Sequence, residues 1–275
     1  MSPSPKSVIL DLLQSMRGRA LAVRALVEAG ALFGLPENGM RVALARLVAR
    51  GLVARQGPGS YRLAPGAQPI SRRVGGWTAA DQRGSRWDGG WIGALTPGRD
   101  RAARRSDARA LAFLGFERLA PSLWVRPDNL RGGVTAVREA LFELGLDPQV
   151  SVLRLSELDA RTETRARKLW DADALVSAQR QAREALERSA GKLIRLTAAE
   201  AMAETFLVGG RAIRQIALDP LLPEEIAPER ERRALVAAMR EYDKVGRACW
   251  REFMRAHDAP TAQAPAHGAA LGRHS

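Results

Sequence analysis

The chain has 275 residues, long enough for more than one domain, and its 46% hydrophobic content is that of a globular protein. Its 43 Lys+Arg against 30 Asp+Glu give a net charge of +13, which favours a polyanionic partner, nucleic acid or an anionic membrane surface. The single cysteine, Cys249, excludes an internal disulfide and a cysteine-based zinc site, and the three histidines all fall in the last twenty residues, which removes most histidine chemistry from the folded body.

The excess charge is concentrated at the amino end. Residues 1–86 hold 13 basic and 4 acidic residues, residues 87–160 hold 10 of each, and residues 161–275 hold 20 and 16. No apolar run reaches the length of a membrane span, and "MSPSPKSVIL" lacks the features of a signal peptide, so a cytoplasmic, reduced compartment and no membrane partner are expected.

In chain order, "SVILDLLQSM" (7–16) predicts a helix capped by Ser7. "ALAVRALVEAGALFG" (20–34) predicts a second helix, ended by Gly34. Pro36 suits the first turn of a third helix that runs to about Arg50, with Gly51 following. "LVARQ" and "SYRLA" flank the "GPG" at 57–59 as the two arms of a hairpin. Residues 65–86 predict a linker, within which Trp77 implies a docked portion.

A different rhythm follows. "WIGALT" (91–96), "LAPSLWVRP" (119–127) and "QVSVLRL" (149–155) predict three strands. Helices at 100–116 and 130–146 separate them, which suggests a small α+β sandwich with its helices on one sheet face. Three further helices are expected at about 170–190, 197–217 and 228–256, before an Ala-, Gly- and Pro-rich tail at 257–275 that predicts disorder. The expected domains are therefore 7–64, 87–160 and 161–256.

The third helix carries the functional signal. Met40, Leu44, Leu47 and Val48 form one inward stripe, which leaves Arg41, Val42, Ala45, Arg46 and Arg50 outside it. Arginines set among small residues let a helix approach a groove and reach phosphates or guanine edges. Helix, turn, helix and hairpin together describe a winged helix-turn-helix. Arg41 and Arg46 are expected to make groove contacts and Arg50, Arg55 and Arg62 phosphate contacts, with Asn38, Val42 and Ala45 also at the DNA-binding face. The bland alternative is a solvated basic face on an ordinary helical subdomain.

Three segments resemble the PaaX-type regulators, bacterial repressors of phenylacetate catabolism: "FGLPENGMRVALARLVARGLV" (33–53), "RWDGGWIGAL" (86–95) followed by "LAFLGFERLAPSLWVRP" (111–127), and "RAIRQIALDPLLPEEIAP" (211–228). The resemblance implies a mostly helical α+β protein with three parts. These are an N-terminal winged helix-turn-helix, a central ferredoxin-like (Cas2-like) domain and a C-terminal helical domain. It also implies a homodimeric repressor of a catabolic operon, bound to a double-stranded DNA operator and released by an aryl-acyl-CoA effector such as phenylacetyl-CoA.

A CoA ester needs cations for its phosphates and an apolar pocket for its acyl end. Trp87, Trp91, Trp124 and Trp170, with Arg211 and Arg214, are the candidates, against the alternative that the tryptophans fill cores and that the arginines pair with Asp219 or Glu204. A Cas2-like domain also raises nuclease chemistry, which needs converging carboxylates. Asp88 stands alone as a candidate, while Asp100 and Asp107 are expected as helix-surface charges. No enzyme, cofactor or metal site is expected. The remaining alternatives are a nucleic-acid-processing enzyme and an architectural DNA binder without an effector.

Overall fold

The computed structural model describes residues 3–16, 18–65, 76–98 and 100–258. Parts of the expected linker (66–75) and tail (259–275) lie outside the described residues.

Helix α1 spans Pro5–Ser15 and begins earlier than the sequence suggested. Ser4 is its cap, and Ser7 is the reciprocal partner in a capping box, so two amide donors are satisfied at once. The expected helix at 20–34 is divided. Leu21–Ala22 form a short strand, β1, and α2 occupies only Val23–Ala31. Helix α3 spans Glu37–Ala49, with Pro36 just outside it as the cap residue. β2 (Val53–Arg55) and β3 (Ser60–Leu63) form an antiparallel hairpin, and β1 adds to the far side of β3. Val8, Ile9, Leu12, Leu13, Leu26, Met40, Leu44 and Leu47 are buried together and hold this unit. Each such side chain contributes about 1.5–3 kcal/mol by leaving water.

The central unit contains β4 (Trp91–Leu95), α4 (Arg101–Phe113), β5 (Glu117–Ala120), β6 (Leu123–Pro127), α5 (Gly133–Glu143) and β7 (Ser151–Leu155). The expected strand at 119–127 is two strands, with Pro121 and Ser122 at the turn between them. The sheet order is β5-β6-β4-β7, with every neighbouring pair antiparallel. Strand alternation sends Ile92 and Ala94 to one face, where Leu111, Phe116 and Leu141 cover them from the α4 and α5 side. Trp91 and Val125 face the other way, where Trp87 and Ala166 cover them. Ala166 belongs to α6 (Ala160–Arg167), a helix that begins at its cap Asp159.

Helices α7 (Ala172–Leu193), α8 (Ala198–Ala217) and α9 (Arg230–Asp258) pack together. Trp77, in a 3-10 segment at Trp77–Gln82, is buried among Leu186, Ile216, Leu235 and Met239 from these helices. Two contacts seat the amino-terminal unit on α8. The Phe33 and Phe206 rings lie 5.4 Å apart, and Arg214 lies 3.5 Å from Asp11. Burial raises the Asp11 carboxyl above the ordinary aspartate range, and the Arg214 charge works against that shift.

Candidate nucleic-acid interface

The inward stripe of α3 is real. Met40, Leu44 and Leu47 are no more than 4% exposed, and Val48 packs against the same core. Asn38, Arg41, Val42, Ala45, Arg46 and Arg50 are all exposed on the other side. At about 100° per residue, Val42, Ala45 and Ala49 run down the middle of that face. Arg41 flanks them on one side, and Arg46 and Arg50 flank them on the other. A 13-residue helix is about 20 Å long and, with its side chains, about as wide as the major groove of DNA.

The arginines differ in their engagement. Arg41 is tied to Glu37 one turn back, with its Nε 2.8 Å and its Nη2 2.6 Å from Oε1. Among the described residues, Arg46 and Arg50 have no acidic partner. Arg55 is exposed with its guanidinium 5.9 Å from the centroid of Tyr61. Arg62 is half-buried, and its Nε is enclosed without a hydrogen-bond partner.

The hairpin tip depends on Gly57 and Gly59, whose φ angles of 79° and 66° suit glycine alone without strain. The backbone oxygen of Gly59 accepts from the Val23 amide at 2.8 Å, which pins the tip to the start of α2.

The six effector candidates do not all converge. Trp87 and Trp91 meet edge to face at 5.4 Å, and Trp170 stacks on Trp91 at 6.1 Å. Their ring N–H groups are partly spoken for: Trp87 donates to the Gly90 oxygen at 2.6 Å and Trp91 to Glu163 at 2.8 Å, while that of Trp170 is buried without a partner. Arg167 lies 4.7 Å over Trp87. Trp124 points to the opposite face of the sheet, under Arg118. Arg211 is exposed on α8. Arg214 pairs with Asp11, and neither Asp219 nor Glu204 takes the role considered for it. Asp219 instead faces Gln179 and Arg232, and Glu204 accepts from Ser189.

The acid candidates also resolve. Asp88 accepts from the Gly90 amide and pairs with Arg154, which also binds Asp128 at 3.1 Å. The Gly90 amide and then the Arg154 charge hold the Asp88 carboxyl below its ordinary range. Arg154 thus bridges the Asp88 and Asp128 carboxylates. Among the described residues, no group of three His, Cys, Asp or Glu residues is placed to hold a metal ion. Asp100 caps α4, accepting from the amides of Ala102 and Ala103. Asp107 is buried rather than on the surface, and accepts from the Asp147 amide at 3.1 Å. Arg126, the one Lys or Arg that is buried among the described residues, is not legible in the sequence, because its alternating position in β6 also suits a surface residue.

A mostly helical α+β chain with this central sheet defines a class, and comparison with known proteins gives its family. Residues 4–66 match the family model described as PaaX-like protein, and residues 84–167 match the PaaX protein central Cas2-like domain. The chain belongs to the PaaX-type family. It is also similar to the solved structure of the uncharacterized protein Rv0674 from Mycobacterium tuberculosis, with 25% identity and a TM-score of 0.52 over 90% of this chain and 99% of that one. No curated protein matches the chain. No helix among the described residues is long and apolar enough to cross a membrane.

Proposed function

We propose that the chain is a DNA-binding transcriptional repressor of a catabolic operon and not an enzyme. In this reading it acts as a homodimer in the cytoplasm and is released from its operator by an aryl-acyl-CoA such as phenylacetyl-CoA. PaaX family membership supports the regulatory class and the phenylacetate context. The observation that carries DNA binding is the outer face of α3, where exposed Arg46 and Arg50 have no acidic partner among the described residues and lie beside a strip of small residues.

In this reading the amino-terminal unit is the winged helix-turn-helix. Val42, Ala45 and Ala49 let the α3 backbone approach the groove floor. Arg41 and Arg46 reach base edges or the phosphates of opposite strands, while Arg50, Arg55 and Arg62 reach phosphates. A dimer would read two half-sites about 34 Å apart or a multiple of that distance. The central and C-terminal units, expected within 87–160 and 161–256, supply dimer contacts and effector sensing.

An electrophoretic shift on the promoter DNA flanking the chain's own gene tests this. Tighter binding than to random DNA of equal length is expected, falling steeply with salt as bound cations displace counterions. Equal affinity for both DNAs would remove sequence specificity. Phenylacetyl-CoA should release the promoter DNA, and an unchanged shift would remove that effector.

A further inference from the structure

A cavity of about 420 Å³ lies between the 3-10 segment, the loop after β6, and helices α8 and α9. That volume is within the usual range for small-molecule sites. Ile216, Leu235 and Val236 form an apolar wall that belongs to the same buried cluster as Trp77. Arg86, Arg131, Arg232 and Arg233 line the rest, opposed by Asp219 and Glu229.

The two acids are already engaged. Glu229 binds Arg232 at 2.8 Å and also pairs with Arg233. Asp219 accepts from the Leu221 amide and from Gln179, and lies 3.9 Å from Arg232. Among the described residues, Arg86 and Arg131 therefore face the cavity without an acid of their own, and Arg131 makes a 3.4 Å contact to the Gly84 oxygen. Next along the chain, Arg83 has Nε and Nη2 enclosed with no hydrogen-bond partner. Gathering guanidinium groups around a cavity costs self-repulsion that a bound anion removes. Arginine forks match the geometry of phosphate oxygens.

We infer that this cavity binds a phosphate-bearing anion that carries an apolar group, with the phosphate on Arg86 and Arg131 and the apolar group against Ile216, Leu235 and Val236. The binding itself is independent of DNA. Its regulatory consequence rests on the proposed repressor reading and runs through α8. Ile216 lines the cavity, while Arg214, two residues earlier, holds Asp11 of the amino-terminal unit. A ligand that favours one seating of α8 shifts DNA affinity by its difference in affinity for the two seatings.

Calorimetric titration of the full chain with inorganic phosphate and with phenyl phosphate, without DNA, tests the site. Saturable binding is expected, tighter for phenyl phosphate. The double variant Arg86→Gln/Arg131→Gln alters two exposed side chains and should weaken both ligands by at least about tenfold, the loss expected for charge-assisted hydrogen bonds. Arg101→Gln/Arg104→Gln on α4 removes the same charge elsewhere and should leave binding unchanged. Absence of binding to the wild type, or equal weakening by the two double variants, overturns the inference. Loss of promoter binding with phosphate binding intact would instead remove the repressor reading and leave the cavity assignment standing.

Discussion

The side-chain amide of Asn129 donates to the backbone oxygen of Leu221 at 2.6 Å, fastening the loop after β6 to the segment between α8 and α9. Arg126 works beside it. Its guanidinium is fully buried and donates to the Leu114 oxygen, to the Pro220 oxygen at 3.2 Å and to the Asn129 side chain at 3.1 Å. One cation thus joins the end of α4, the central sheet and the C-terminal segment. Arg126→Met keeps most of the volume but leaves several buried oxygens without donors. A loss of about 2–4 kcal/mol is expected, at about 1–3 kcal/mol for each orphaned group with partial relaxation. Urea unfolding of the purified variant measures it.

Gly115 follows α4 with φ of 77°, and a Cβ there would lie 2.7 Å from Cβ and 2.8 Å from Cα of Pro220. Gly115→Ala therefore combines a left-handed backbone with a clash against main chain that cannot rotate away. We expect it to cost about 2–4 kcal/mol. A shift in the urea midpoint of that size checks the close approach of the two segments.

Asp219 is buried, and burial raises its carboxyl above the ordinary aspartate range, while Arg232, the Leu221 amide, Gln179 and Arg83 act in the opposite direction. A raised folded-state pKa means that the folded form holds the proton more tightly than the unfolded form. Its stabilising effect is complete below the unfolded value and is lost as pH rises through the folded one. Asp219→Asn should remove that component, so its stability should fall less than that of wild type as pH rises from the ordinary aspartate range. The Gln179 side-chain oxygen is buried without a partner, so an asparagine amide can donate to it once the glutamine amide adjusts. Unfolding midpoints from pH 4 to 8, compared between the two proteins, read the difference in slope.

Glu37 holds Arg41 on the outer face of α3. In the proposed complex this carboxylate lies close to DNA phosphates and competes with them for the arginine. Glu37→Gln should tighten promoter binding several-fold at moderate salt, with the gain shrinking as salt screens it. A small loss of helix stability is also expected, because a negative charge leaves the first turn. Fluorescence anisotropy with labelled promoter DNA measures the affinity.

The parts legible in sequence were those where local pattern and tertiary burial agree. Met40, Leu44 and Leu47 repeat at helical spacing and are buried, and the glycines of "GPG" sit where the hairpin needs positive φ. Boundaries were less legible. The run from Ala20 to Gly34 is apolar apart from Arg24 and Glu28, so its period does not separate the two strand residues Leu21 and Ala22 from the helix that follows. Pro121 and Ser122 turn the chain inside a stretch that otherwise alternates as one strand. Residue type alone puts Trp124 with Trp87 and Trp91, yet strand register sends it to the other face of the sheet. Arg126 and Asn129 owe their roles to residues more than ninety positions away, which no local pattern reveals.

The most direct measurement is the affinity of Arg46→Ala for the promoter DNA beside that of wild type, with circular dichroism and the unfolding midpoint of each. Arg46 is exposed and has no acidic partner among the described residues, so its removal should leave the fold intact and weaken promoter binding by about tenfold or more, in line with loss of a major-groove contact. Wild-type affinity in a normally folded Arg46→Ala protein would contradict the placement of α3 in the groove.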